Sequence, residues 1–219
     1  MRVLHVIARL NVGGTARYIT QLANELPKHG IETFVATGFV QGAEVEDESA
    51  QSIDLIRVPA MGRSFNPIKD HFARKQLDRI IAEVKPDLIH THTFKAGLLV
   101  RLQRNKLEEL LGRKIKFIHT FHGHLFDDPE FKGFKAFAIK AIEKKLSKNS
   151  DQLITVGEIV KSDLDGKGIY GKNKTISIPP AVAPLKAAKP ERSSMESEEM
   201  TANLASPRPR GVSRRAAGP

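Results

Sequence analysis

Short apolar runs alternate with amphipathic stretches along most of this chain. Residues 3–8 form an apolar run beginning almost at the first residue, after which Ala16, Ile19, Leu22, Ala23 and Leu26 recur at helical spacing until Pro27 and Gly30 end the pattern. The spacing predicts strand, loop, helix. Residues 31–38 read as a second strand and 53–58 as a third, separated by an acidic turn (Glu44, Glu46, Asp47, Glu48) expected to be a solvated loop. Leu77, Ile80, Ile81 and Val84 mark one face of a helix stopped by Pro86. Residues 87–93 are strand-like, 96–111 helical with a phase slip near Asn105, and 115–120 a further apolar run. Phe131, Phe134, Phe137, Ala138, Ala141, Ile142 and Leu146 mark another amphipathic helix, followed by strands at 152–156 and 175–178.

Strands that are short, continuous apolar runs, alternating with helices, imply a parallel sheet covered on both faces: an α/β, doubly wound, Rossmann-like domain. That pattern stops at Val182. Residues 183–219 contain five prolines, many Ser, Ala, Glu and Arg, and no Ile, Phe or Tyr, so little apolar surface is present to offset ordering entropy. The expected organisation is one domain over 1–182 and a disordered tail over 183–219.

The formal charge of +10 and sequence pI near 9.8 suit an anionic partner, whether nucleic acid, membrane surface or phosphorylated substrate. The arginines ending the tail (Arg208, Arg210, Arg214, Arg215) are read as a solvated segment rather than a nucleic-acid arm, and no specific nucleic acid is expected. Without cysteine, neither a disulfide framework nor a thiolate metal site can form, which fits a reducing, cytoplasmic setting. The first residues do not form a signal peptide, and no run approaches a membrane span.

In a doubly wound sheet, ligands sit beyond the carboxyl ends of the strands. The loop Arg9-Leu10-Asn11-Val12-Gly13-Gly14-Thr15 delivers the chain to a helix N-terminus, where free amides and the helix dipole favour an anionic group. Its adjacent glycines match neither the dinucleotide fingerprint nor a P-loop, so a tight strand-to-helix turn is an equal reading. His90-Thr91-His92-Thr93-Phe94-Lys95-Ala96-Gly97 places two imidazoles on one face of a strand end. His119-Thr120-Phe121-His122-Gly123-His124 follows, and Gly123 would let backbone approach a ligand. Zinc is weighed and set aside: histidines at strand ends more often pack through hydrogen bonds or serve as acid/base groups, so no metal is expected. Nucleophile-elbow serine, cysteine nucleophile and paired-carboxylate chemistries find no matching residues. Asp127 and Asp128 read as surface-turn residues before Pro129.

Taken together, Gly13-Gly14, the run Pro86-Asp87-Leu88-Ile89-His90-Thr91-His92 before Lys95-Ala96-Gly97, and His119-Thr120-Phe121-His122-Gly123 resemble the N-terminal domain of retaining GT-B glycosyltransferases of family four. The resemblance covers about residues 1 to 182. It implies a nucleotide-sugar-dependent transferase with the acceptor held by this domain and the donor by a second one across a cleft. It implies backbone amides of Gly13 and Gly14 at the donor diphosphate and His122 lining the sugar-transfer site, with no cofactor beyond the nucleotide-sugar cosubstrate. In such retaining enzymes attack is drawn on the same face, assisted by the leaving phosphate, so His122 need not be a base. Arg9, Asn11, Thr93, Lys95 and Gly123 are acceptor-side candidates from loop position.

The departures shape the functional expectation. The hinge reads Pro179-Pro180-Ala181-Val182, no donor domain follows, and Glu191 and Glu199, although eight apart, sit in a segment lacking a phosphate loop. The chain is therefore expected to be a truncated acceptor half, inactive or weakly active without a donor domain. A nonenzymatic acceptor-binding module or the partner subunit of a split transferase are the alternatives. A Rossmann oxidoreductase is disfavoured because Thr37-Gly38 stands where a ribose-binding acid would end the second strand. The phenylalanine-rich helix carrying Lys132, Lys135, Lys140 and Lys144 suits peripheral contact with anionic lipid, with core packing and solvated lysines an equal reading.

Overall fold

The computed structural model describes residues 1–123, 134–173 and 175–180, which belong to the compact unit Met1–Val182. His124, Asp127, Asp128, Phe131, Lys132, the side chain of Lys135, the hinge residues Ala181 and Val182, and the tail with Glu191 and Glu199 lie outside the described residues.

Seven parallel strands form one sheet in the order β3-β2-β1-β4-β5-β6-β7: β1 (Arg2–Ile7), β2 (Glu32–Thr37), β3 (Leu55–Arg57), β4 (Leu88–His92), β5 (Lys116–Phe121), β6 (Gln152–Thr155) and β7 (Ile176–Ser177). The chain leaves β1 toward β2 and returns to add β4 on the other side of β1. The topological switch point therefore lies between β1 and β4, and their carboxyl ends open the crevice in which ligands bind.

Alternation along each strand assigns the two faces. Leu4, Val6, Ile89 and Phe117 point to the layer made by α2 (Pro67–Val84), α3 (Phe94–Arg101) and α4 (Arg104–Leu111), where Leu77, Ile81, Leu99, Val100 and Leu107 complete the largest core. α5 (Phe134–Lys148) joins through Ile139 and Leu146 against Phe94, and α6 (Glu158–Gly166) through Val160 and Leu164 against Phe121 and Leu153. The opposite face receives Ile7 and Val35, packed on Ala16 and Ile19 of α1 (Gly14–Glu25).

Local chemistry sets the ends of the elements. Asn66 caps α2 by accepting the Lys69 N–H at 3.0 Å, with Pro67 at the first helical position, where its missing N–H costs nothing. The helix stops at Lys85, which turns to φ 50° ahead of Pro86. The helix predicted over 96–111 is two: α3 ends at Arg101 and α4 restarts at Arg104, so the phase slip is a real break. α6 escaped the periodicity because only Val160 and Leu164 of its nine residues are buried, too short a stripe to register.

The acidic turn is not the solvated loop expected from its composition. Asp47 is 4% exposed and accepts N–H groups from Ser49 and from Gly13, while Glu44 and Glu46 hold Arg9 and Arg57. Glu44 and Asp47 fasten the loop after β2 onto the glycine loop after β1, and Glu46 ties it to Arg57 of β3. Their pKa values are held below the ordinary range: for Glu44 and Glu46 mainly by the arginine hydrogen bonds, for Asp47 by its Ser49 and Gly13 donors, which outweigh burial.

Candidate functional site

The glycine loop reaches its turn through Gly13, whose φ of 152° is one that side-chain-bearing residues rarely adopt. Its N–H donates to the Asp47 carboxylate at 3.2 Å, so that amide is engaged within the fold. Gly14 opens α1, and with Thr15, Arg17, Tyr18, Gln21, His122, Val156 and Pro180 it lines a pocket of about 340 Å³. One wall is thus a helix N-terminus plus an arginine, both favourable to negative charge. Arg17 is largely exposed and lies 3.6 Å from Asp47.

His122 forms the facing wall, just beyond β5, and is the outer end of a histidine chain. Its Nε2 is 3.0 Å from Nδ1 of His92, whose Nε2 is 3.0 Å from Nδ1 of His5. His90 packs beside them, 4.1 Å from His92 between ring centroids, and contacts the Thr120 hydroxyl through Nε2 at 2.7 Å. These side chains share the face of α1 because His5 is in register with His90, and Ile7 with His92. His119 points the other way, to the Thr91 hydroxyl. Burial pushes His5 and His122 down to about 4, and burial reinforced by neighbouring positive charge, the other imidazoles and for His119 also Arg101, pushes His90, His92 and His119 well below the ordinary value. All five are neutral at pH 7. Tyr18 lies edge-on to His122 at 5.1 Å, its hydroxyl raised by burial against an opposing hydrogen bond with Thr120.

Nitrogens of His5, His90 and His92 come within 4.8 Å of one another, close enough for a divalent ion to be considered. Among the described residues no carboxylate is grouped with them. Hydrogen bonds engage His5 Nδ1, both nitrogens of His92 and His90 Nε2, while His5 Nε2 has no partner.

The remaining predicted site residues divide sharply. Gly14, His122 and the helix N-terminus meet at the pocket; Gly123 is adjacent and exposed, with neither crowding nor a positive φ that requires glycine. Arg9 is held by Glu44 at 2.5 Å, and Asn11 forms an isolated bridge to Glu46. Lys95 is buried, donating to Asp70 at 2.5 Å and to the Ser64 carbonyl at 2.9 Å, beneath the Phe65 ring. Thr93, between β4 and α3, stands at φ 67° and ψ 149° with a buried, unpartnered hydroxyl, strain of about 1–3 kcal/mol at the switch point. Sequence reading missed Arg17, Tyr18 and Gln21. They sit three, four and seven positions after Gly14, the helical spacing of one face, but on the polar side of a stripe traced only through its apolar members.

At the end of β2, a Cβ on Gly38 would stand 1.9 Å from the Met61 carbonyl oxygen and 2.7 Å from that of Ala8. Backbone fills the place where a dinucleotide ribose would need an acid.

A parallel seven-stranded sheet with its pocket at the switch point defines a Rossmann-like half of the GT-B type. The sequence model of Glycosyltransferase Family 4 matches residues 12–184, and the chain belongs to that family. It is 24% identical over 167 residues to an Escherichia coli UDP-Gal:alpha-D-GlcNAc-diphosphoundecaprenol alpha-1,3-galactosyltransferase, the match covering 73% of this chain and 41% of that protein. Its fold is shared with the sucrose-phosphate synthase of Thermosynechococcus elongatus (TM-score 0.57, 17% identity, 82% of this chain and 48% of that one). It is shared too with Anabaena HepE, solved in complex with UDP and glucose (TM-score 0.59, 13% identity, 92% and 50%). The chain thus spans half or less of the length of each of these proteins.

Proposed function

We propose that this chain is the acceptor-side half of a retaining glycosyltransferase, moving a sugar from a nucleotide-sugar donor to a glycan or lipid-linked acceptor. The observation that carries the reading is the pocket in which the N-terminus of α1 and Arg17 face His122. Leaving-group charge develops on a diphosphate, and fixed amides of Gly14 and Thr15 aimed at that charge stabilise it without reorganisation. His122, neutral at pH 7, serves as a hydrogen-bond partner of the transferred sugar or the acceptor rather than as a standing cation. Gly13 acts by shaping the turn, its own amide being committed to Asp47. The UDP in the names of the E. coli and Anabaena relatives favours a uridine-diphosphate sugar, and the diphosphoundecaprenol in the first favours a lipid-diphosphate acceptor. Acceptor loops alone do not position a donor, so turnover requires a donor-side domain.

Sugar turnover tests this, using a panel of nucleotide sugars, cell-envelope extract as acceptor, and the chain both alone and fused to a donor domain of the same family. Transfer by the fusion only, lowered roughly a hundredfold by His122→Ala, is expected. Transfer by the chain alone refutes the acceptor-half assignment, and acceptor binding without turnover in either form makes the chain a binding module.

A lipid-linked acceptor requires access to a bilayer, and two helices of one layer suit it. On α5 the single acid, Glu143, is buried against Arg101, which leaves exposed Phe137 with Lys144, Lys145 and Lys148, and the half-buried Lys140, outside. On α2, exposed Ile68, Phe72, Lys75 and Arg79 fall on one stripe. Among the described residues no helix is long and apolar enough to cross a membrane, so the contact proposed is peripheral. Lys140→Ala with Lys144→Ala is expected to weaken co-sedimentation with phosphatidylglycerol vesicles roughly thirtyfold, at about 1 kcal/mol per lysine near the surface, with no effect on neutral vesicles.

A further inference from the structure

The chain His122–His92–His5 ends inside the protein on an atom with no partner: Nε2 of His5, fully buried and without a hydrogen bond. A neutral imidazole carries one ring proton, so a run of nitrogen-to-nitrogen contacts admits only two arrangements. Either every proton points toward the pocket, or every proton points away from it. In the second arrangement His5 Nε2 bears an N–H buried without an acceptor. In the first it bears only a lone pair. Genuinely orphaned buried N–H donors are rare in folded proteins.

We infer that the unpartnered end of His5 sets the tautomer of the whole chain. His5 Nδ1–H donates to His92 Nε2, and His92 Nδ1–H donates to His122 Nε2. His122 is left with its proton on Nδ1, as a neutral donor to an oxygen bound in the pocket. His5 and His92 are positioning residues: neither lines the pocket, and both act by fixing which nitrogen of His122 holds the proton. A general base at this position would need the reverse tautomer, with Nδ1 bare. The arrangement therefore selects for ligand oxygens that accept a hydrogen bond, such as a sugar hydroxyl or a phosphate oxygen. A run of aligned donors also polarises cooperatively as negative charge grows on that oxygen.

The inference rests on the transferase reading only for the identity of the oxygen, because the tautomer is read without turnover. The test is a two-dimensional nitrogen–proton correlation spectrum of the whole chain with nitrogen-15-labelled histidine at pH 7, assigned with His122→Ala. The expected spectrum shows His122 protonated at Nδ1 and bare at Nε2. Protonation at Nε2, or a mixture of the two forms, overturns the inference. His92→Phe removes the donor and is expected to release His122 into a mixture, whereas His92→Asn, whose amide N–H can stand in for Nδ1–H, restores the single form. A His122 tautomer indifferent to both substitutions likewise overturns it. If either variant fails to fold, the wild-type spectrum still decides the matter. In the fused transferase, His92→Phe is expected to lower kcat while leaving KM for the donor within about twofold, the pattern of an interaction made in the transition state.

Discussion

Arg101→Met is expected to destabilise the fold by about 3–5 kcal/mol, a large share of an ordinary stability of about 5–15 kcal/mol. Arg101 is the largest fully buried side chain, and its guanidinium meets the Glu143 carboxylate through two hydrogen bonds of 2.8 and 3.0 Å, both side chains 0% exposed. Removing the cation strands a carboxylate where water cannot reach it. The pair joins α3 to α5, and Gly97 is shaped around it: a Cβ there would come within 2.5 Å of the guanidinium. The double replacement Arg101→Met with Glu143→Leu is expected to recover most of the loss, because the desolvation of two charges disappears together with their attraction. Urea unfolding of the two single variants and the double variant measures this. A single variant losing under about 1 kcal/mol would mean that water reaches the pair.

That ion pair was invisible to sequence reading, as was its consequence for the surface. Periodicity finds Phe137, Ile142 and Leu146 as an apolar stripe but cannot say which side of α5 the lone Glu143 takes; the partner that draws it inward is 42 positions earlier. The same limit separates the site residues. His122 and Gly14 were legible because each sits where a strand hands the chain to the next element, and parallel topology brings such places together whatever the details. Lys95 and Arg9 were equally well placed by that argument, yet Asp70, in the first turn of α2, and Glu44, from the loop after β2, hold them. Loop position along one strand edge predicts proximity to the crevice; it does not predict competition for the side chain. His5 was passed over for the opposite reason. It interrupts an apolar run inside a strand, where a lone histidine reads as packing, and only the register with His90 reveals its neighbours.

Burying five neutral imidazoles in the interior has a cost that appears on acidification, and the protein is expected to unfold between about pH 6 and pH 4.5. In the unfolded chain histidine takes up its proton near pH 6.5, whereas folded His5 and His122 do so near 4, and His90, His92 and His119 well below the ordinary value. Across that interval the unfolded state binds more protons, so stability is greatest above pH 6.5 and falls as pH drops. For His5 alone, a displacement from 6.5 to about 4 amounts to on the order of 3 kcal/mol once pH reaches 4, at about 1.4 kcal/mol per unit. The carboxylates with depressed pKa values, Glu44, Glu46, Asp47, Asp87, Glu108 and Asp151, act in the same direction but in a lower window. Their stabilisation is present above the unfolded carboxylate range and is lost as pH falls through their lowered folded values. The loss between pH 6.5 and 4.5 therefore belongs chiefly to histidine. Urea unfolding at pH 7.5, 6.5, 5.5 and 4.5 should show a flat region and then a slope of several protons taken up on unfolding. His5→Leu should shallow that slope by about one proton whatever it does to the absolute stability. A slope near zero between pH 6.5 and 5.5 would mean that these imidazoles already titrate in the folded protein, and the neutral hydrogen-bonded chain ending at His122 could not then exist as described.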